Sequence, residues 1–553
     1  MITQSSFTQI PTAAPILSSP SLASGPSSIA TATIIEIPGF SDPRYDKYRR
    51  HRLNAFSRFT PDQLAGKEKY INSETLRHDK NVKITHEVTI NSPDRKPATI
   101  ADSHLVIETG NTHDRIRIKK GPGESLTVLI NEIPYQLNNM AFINTPIFCL
   151  RIKTNGGDDC VLVDSDVEFP VDIDLGEGND YAQAGSGYTL MRGGSGNDTL
   201  KLGRGDGKAF GGDGDDLMIA GTGHGMLRGN NGNDRMQAGE GVEGRVLYMD
   251  GGEGHDFMIV TKNTLDNPTI LHGGKGENLI VTHGKATVYT GRDKNIVRTH
   301  SDDTVIYAKP TDEIHRTSGS TLTHTAYKEL GHSGYLVDGS QDFVQNVNDD
   351  IDLLRLSPVG KQMLAEGDSA AKRNDAPTLI KETADENAYN YYNNSKLKKH
   401  FSTNKPKDLE SKDHSRGQDF GGISITDDLV GLTPSDYGKI ISNQPGDVAN
   451  AGEIHYNPSF SMFDGSGPIV VLYHEMAHAY NGANGTVLPG RTNREHKPRG
   501  ERDEEHQAVG LPTDARPFNF INSPFAKPTT TNPKPFTENT LREEFQLPLR
   551  EDY

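Results

Sequence analysis

The chain has no tryptophan and only two cysteines, Cys149 and Cys160. Two thiols cannot build a disulfide framework, so burial and hydrogen bonding must hold the fold, and a reducing compartment is permitted. No apolar run approaches the roughly 18 to 20 residues that a membrane span requires. Only 33% of residues are apolar, a fraction diluted by 57 glycines and by polar linkers. Residues 1 to 35 carry no charged side chain and are crowded with Ser, Thr, Ala and Pro. They lack the basic start and continuous apolar core of a Sec signal, and their composition cannot bury enough surface to fold. Positive charge is also short: the formal net charge of −17 argues against nucleic acid as a partner.

What is present begins with a repeat. Gly-rich or small polar units start at positions 176, 185, 194, 203, 212, 221, 230 and 239, each nine residues after the last. Every second unit carries an acid in its fifth place, giving Asp180, Asp198, Asp216 and Asp234 at intervals of 18. Looser copies follow at Asp256 and Asn278, now 22 apart, which suggests a coil that lengthens at its edges. Two nonapeptides make one turn of a parallel β-solenoid, alternating glycine turns with short strands that point an apolar residue inward. Leu200, Leu217, Ile219, Met226 and Leu227 are the expected inward residues. Stacked at one residue per coil, the four aspartates form a row along one edge. Their carboxylates would repel unless a cation lay between them, and oxygen-rich turns suit Ca²⁺. The repeats resemble the RTX calcium-binding nonapeptides, although turns such as Gly203-Arg-Gly205-Asp-Gly207 lack the fifth-place Asp, so the opposite edge should bind little.

The second signal is Ile469-Val-Val-Leu-Tyr-His474-Glu475-Met-Ala-His478, an HExxH motif on an apolar run. Positions i and i+4 lie above one another on a helix face, so His474 and His478 can direct two imidazoles at one ion. Glu475, beside the first of them, can take a proton from the attacking water and pass it to the leaving amine, the role of a general base. Zinc is the metal this pattern suits. A catalytic zinc takes three protein ligands. A metzincin continuation would need Gly and His where Asn481 and Asn484 stand, and an aspzincin would need Asp where Pro489 stands. A carboxylate on a later helix remains. Glu505 is the choice, because the small Ala508 one turn on lets that helix pack closely, with Glu504 as runner-up. His455, His496 and His506 read as surface or supporting residues.

Around this motif, Val344, Val347, Ile351 and Leu354 follow helical spacing and predict an amphipathic helix ending near Ser357-Pro358. Thr378 to Lys381, Ile423 to Thr426 and Glu453 to Tyr456 read as short strands, the last an edge strand suited to pairing with an extended substrate. Asn481, Gly482, Asn484 and Gly485 read as the turn that ends the HExxH helix. Residues 384 to 420 read as a mobile loop. Tyr456, Arg550 and Tyr553 are candidates for stabilising an oxyanion.

Several of these segments carry a family resemblance: Val337-Asp-Gly-Ser340, the helix from Phe343 to Leu354, Glu453-Ile-His-Tyr456-Asn457-Pro458, the HExxH helix, Glu504 to Leu511, and Phe536-Thr-Glu538-Asn539-xx-Arg542 to Tyr553. Together they resemble the NleD-like type III effector zinc metallopeptidases. The resemblance implies zinc held by His474, His478 and Glu505, with Glu475 as the catalytic base. It further implies host signalling kinases of the mitogen-activated class as substrates, cut in the activation loop. The uncharged amino terminus resembles a type III secretion signal, which implies translocation into a host cell. The charged stretch at 42 to 70, with Arg49-Arg50-His51-Arg52, reads first as a solvated helix face, with a secretion chaperone or an acidic membrane as the alternative contacts.

The expected organisation is multidomain. A disordered region spans 1–75, and a β-solenoid 76–315 has its regular part at 155–280. A linker covers 316–335 and an α+β, zincin-like metallopeptidase domain 336–553. The competing reading is a calcium-loaded binding or adhesin-like protein whose C-terminal domain does not cleave.

Overall fold

The computed structural model describes residues 32–36, 69–91, 99–138 and 148–552, apart from 124, 240, 262–266, 384–386, 391–434, 436–437, 451, 461–463, 495–496 and 522. The amino-terminal tail, the basic stretch at 49–52, the strand expected at 423–426, the loop body, His496 and Tyr553 lie outside the described residues.

Between residues 150 and 324 the chain winds into a β-solenoid of about nine turns. Each turn gives one short strand to each of two parallel sheets, because the glycine turns fall at regular intervals between apolar triplets. Two rows of side chains meet inside: Leu200, Met218, Met236, Met258, Ile280 and Val297 from one sheet, and Met191, Ala209, Leu227, Met249, Leu271, Val288 and Ile306 from the other. All are fully buried. Antiparallel strands from Lys69–Glu108 and Arg115–Asn138 extend the two sheets and cover the amino-terminal end of the stack. Glycine is obligatory where coils touch: Gly196 has φ +124°, and a Cβ there would stand 1.8 Å from the Gly178 carbonyl oxygen of the preceding coil.

Three expectations about the coils are corrected. In the strand Leu217–Ile219 the middle residue, Met218, points inward, while Leu217 and Ile219 lie on the outer face. All three are apolar, so hydrophobicity alone could not set the register, and a shift of one residue exchanges the faces. Met226 points outward as well, into the contact with the C-terminal domain. The coils lengthen to 22 residues after Asp234 but then shorten, with Asn278, Asn295 and Asp312 spaced by 17.

The C-terminal domain is α+β, with a sheet ordered Tyr335–Asp338, Thr378–Glu382, Glu453–Tyr456 and Ala388–Asn390; the first three run parallel and the last antiparallel. Glu453–Tyr456 is therefore paired on both sides and is not the edge. Among the described residues the edge strands are Tyr335–Asp338 and, beside Glu453–Tyr456, Ala388–Asn390. Helix α1 spans Gln341–Leu356 and is capped by the Ser340 hydroxyl, which accepts from the Phe343 N–H. Ser357 ends α1 and at once caps α2, Pro358–Asn374, whose proline occupies a first-turn position where no N–H is needed. The sequence reading stopped at Ser357-Pro358 and missed α2. Helix α3 is Pro468–Asn484, α4 is Asp503–Val509 and α5 is Glu538–Glu544.

The two parts share one core. Met226, Tyr248, Ile270 and Tyr289 on the outer face of one solenoid sheet pack with Phe343, Val347, Ile351, Ile469 and Phe545. Tyr289 stands edge-on to Phe545, with centroids 5.7 Å apart, and its hydroxyl donates to Glu544 Oε1 at 2.6 Å. At the centre Arg228 donates to Asp350 Oδ1 at 2.8 Å, both side chains at zero exposure. It also reaches the Asn346 carbonyl oxygen at 2.8 Å. Beside them Asp250 accepts from His272 and from the Tyr248 hydroxyl, each at 3.1 Å.

Candidate active site

Helix α3 carries the HExxH residues, and its sequence explains both its length and its burial. Pro468 opens it, and Gly485, at φ 66°, closes it in the left-handed conformation that glycine accepts most readily. Asn481, Gly482 and Asn484 belong to the helix, so of the four residues expected in the turn only Gly485 lies beyond it. It is apolar on almost every side, and so it runs through the interior instead of lying on the surface.

The one-turn spacing brings His474 Nε2 and His478 Nε2 to 3.0 Å from each other. Helix α4 delivers the third member: Glu505 Oε2 is 3.1 Å from His478 Nε2 and 3.4 Å from His474 Nε2. These three side chains form the one His/Cys/Asp/Glu group among the described residues whose ligand atoms converge closely enough to hold a metal ion. Glu504, the runner-up, is directed to Arg502 at 2.9 Å and stays outside the group. Helix α4 is held against α3 by Gln507, whose Nε2 donates to Asn481 Oδ1 at 3.0 Å and to the Thr486 carbonyl at 2.8 Å. Ala508 is fully buried on the same side, the small residue that permits this close approach. Arg502 steadies the free oxygen of Glu505 at 3.0 Å.

The electrostatics suit a cation. Burial opposes charge on Glu505, but His478, His474 and Arg502 outweigh it and hold the carboxyl well below its ordinary range. Burial likewise disfavours a charged His474, yet Glu505, Glu538 and Glu475 around it raise its pKa to about 10. Glu475 is different. Burial dominates and pushes its carboxyl upward despite the neighbouring imidazoles, the direction expected of a group that must accept a proton near neutrality.

A further residue emerged only from the fold. Glu538, at zero exposure on α5, accepts from His474 Nδ1 at 2.9 Å. It stands 64 residues beyond its partner, at no metal-ligand spacing; its place in the Phe536-Thr-Glu538-Asn539-xx-Arg542 segment that carries the family resemblance is the signal the sequence offers. The oxyanion candidates fare unevenly. Tyr456 is fully buried and donates to Asp350 at 2.9 Å, so it belongs to the solenoid contact and not to a substrate cleft. Arg550 pairs with Glu538 Oε2 at 3.1 Å. His506, on α4, is buried with Nδ1 3.3 Å from the Pro512 carbonyl oxygen, and His455 lies beside Glu453 on the sheet.

The aspartate row is also in place. Oδ1 of Asp180, Asp198, Asp216 and Asp234 each accepts the backbone N–H of the aspartate one coil earlier, at 2.6 to 2.8 Å. Asp159 and Asp256 continue the row on either side. In all six, Oδ2 is buried without a hydrogen-bond partner. Asn278 takes the next place, and its amide donates to the Gly273 carbonyl at 2.6 Å.

No helix among the described residues is long and apolar enough to cross a membrane. No curated protein and no solved structure matches the chain. A family model does: residues 331–553, the C-terminal domain, match that of the M91 peptidases, described as effector protein.

Proposed function

We propose that the C-terminal domain is a zinc endopeptidase of a secreted effector that cleaves host proteins. The observation that carries this reading is the spacing of His474 Nε2, His478 Nε2 and Glu505 Oε2 at 3.0 to 3.4 Å. A tetrahedral zinc with bonds of about 2.1 Å keeps its ligand atoms about 3.4 Å apart, so these three fit its coordination sphere with little movement. When bound, zinc supplies Lewis acidity toward a peptide carbonyl and its attacking water. Glu475 takes the water's proton and delivers it to the departing amine. Substrate enters in extended form along Ala388–Asn390, the antiparallel outer strand, which offers main-chain hydrogen bonds largely blind to sequence. Host signalling kinases cut in the activation loop are the substrates proposed from the NleD-like resemblance, and delivery by a type III system is proposed from the uncharged amino terminus. The test is a survey of new protein termini in host lysate, wild type against Glu475→Gln. Termini that appear only with the wild type support the reading; identical sets overturn it.

Calcium is proposed for the aspartate row as a structural ion. Its partnerless buried Oδ2 atoms, one per coil, are oxygens that ions seated between neighbouring coils would use together with backbone carbonyls. Without a cation, burial raises Asp159, Asp180 and Asp198 to about 6, Asp234 to about 7 and Asp216 and Asp256 to about 8, from 3.8. The folded state therefore holds protons that the unfolded chain releases. This contribution is fully present below about pH 4 and is lost as pH rises through 6 to 8. In chelator, the melting temperature should fall between pH 5 and pH 8, and Ca²⁺ at pH 8 should restore it. Asp198→Asn with Asp216→Asn should blunt both responses. A melting temperature at pH 8 indifferent to Ca²⁺ would remove the ion from this account.

A further inference from the structure

His474 is held from behind by a closed network that has no part in the HExxH pattern. Glu538 Oε2 accepts from His474 Nδ1 at 2.9 Å and from Arg550 at 3.1 Å, and Oε1 accepts from Arg542 Nε at 2.6 Å. Arg542 spreads the restraint further: its guanidinium reaches Asp464 at 2.7 Å, the Pro548 carbonyl oxygen at 3.1 Å and the Ser466 hydroxyl at 3.2 Å. Asp464 in turn accepts from the Ser466 N–H at 3.0 Å and hydroxyl at 2.7 Å. Ser466 lies two residues before Pro468, where α3 begins. One carboxylate thus ties α5 both to the imidazole and, through Arg542, to the start of the helix that carries it.

Two consequences follow for the ring. A carboxylate flanked by two guanidinium groups can only accept, so His474 must carry its proton on Nδ1. The lone pair of Nε2 is then the one presented beside His478 and Glu505. The second consequence is rotational, because the bond from Nδ1 fixes the ring plane, which meets that of His478 at 78°.

We propose that Glu538 is the positioning residue of the metal centre, setting the tautomer and orientation of His474 so that Nε2 faces the ion, with Arg542 and Arg550 holding the Glu538 carboxylate in place. This rests on the zinc reading above. Carboxylates placed behind a ligating histidine generally contribute 10- to 100-fold in metal affinity.

The experiment measures the zinc dissociation constant of the full chain by competition with a chelator of known affinity, alongside the melting temperature of the metal-free protein. Glu538→Gln should bind zinc 10- to 100-fold more weakly. When saturated with zinc, it should show a lower kcat on a cleaved peptide with KM unchanged, a split that loss of fold alone would not produce. Arg550→Gln removes one guanidinium from the solvent side, should leave the fold intact, and should weaken zinc severalfold. It decides the matter should Glu538→Gln fail to fold. A dissociation constant within about threefold of wild type in folded Glu538→Gln, or an unchanged one in Arg550→Gln when only that variant folds, overturns the assignment. If the wild type itself takes up no stoichiometric zinc, the zinc reading fails, whatever Glu538 does.

Discussion

Glu475→Gln is expected to lower kcat for peptide hydrolysis by about 10²- to 10⁴-fold, the range that a positioned general base contributes. The substitution keeps the shape of a side chain that is 6% exposed and touches neither ligating imidazole nitrogen's role. Zinc content, read by atomic absorption, should therefore stay at one equivalent. Stability should not fall, because burial already disfavours the charge that the amide removes. The pattern of lost turnover with retained metal separates a base from a ligand: His478→Ala should lose both. Hydrolysis that persists in Glu475→Gln would assign proton transfer to another group.

Arg228→Met should destabilise the folded chain by about 3 to 5 kcal/mol, since it strands Asp350 as an uncompensated buried charge. The pair lies at zero exposure between solenoid and α1, so the loss should appear as a lower urea midpoint for both parts at once. Asp350→Asn added to Arg228→Met should recover part of the deficit, because the two changes remove a shared interaction. Tyr456, which donates to the same Asp350, extends the effect to the strand preceding α3, so catalytic rate should fall with stability. Two separate unfolding transitions, with only the first moved, would show that the two parts fold independently.

What the sequence made legible was periodic or contiguous. The His474/His478 spacing, the aspartates at 18-residue intervals and the helical pattern from Val344 to Leu354 each state their geometry locally. What it hid depends on distant partners. Leu217, Met218 and Ile219 are apolar on both faces, and only the neighbouring coils select Met218 for the interior. Helix α2 contains Gly360 and Gly367 and few apolar residues, so it shows weak periodicity and is stabilised by packing on α1 and α3. Tyr248, Tyr289 and Arg228 look like ordinary outward residues of a repeat; nothing in the repeat says that one sheet face is covered. Glu538 stands in a segment that carries the family resemblance, but its role lies in a contact made across 64 residues, which no local pattern states.

The order of these parts along the chain bears on biosynthesis. The coils are translated before α1 exists, so the surface carrying Arg228, Tyr248 and Tyr289 is ready as a template when the catalytic half leaves the ribosome. Glu538 emerges after every one of the residues proposed to ligate the ion, and His474 acquires its restraint last. A nascent polypeptide holding both histidines and Glu505 would still lack the brace behind its first imidazole until α5 follows.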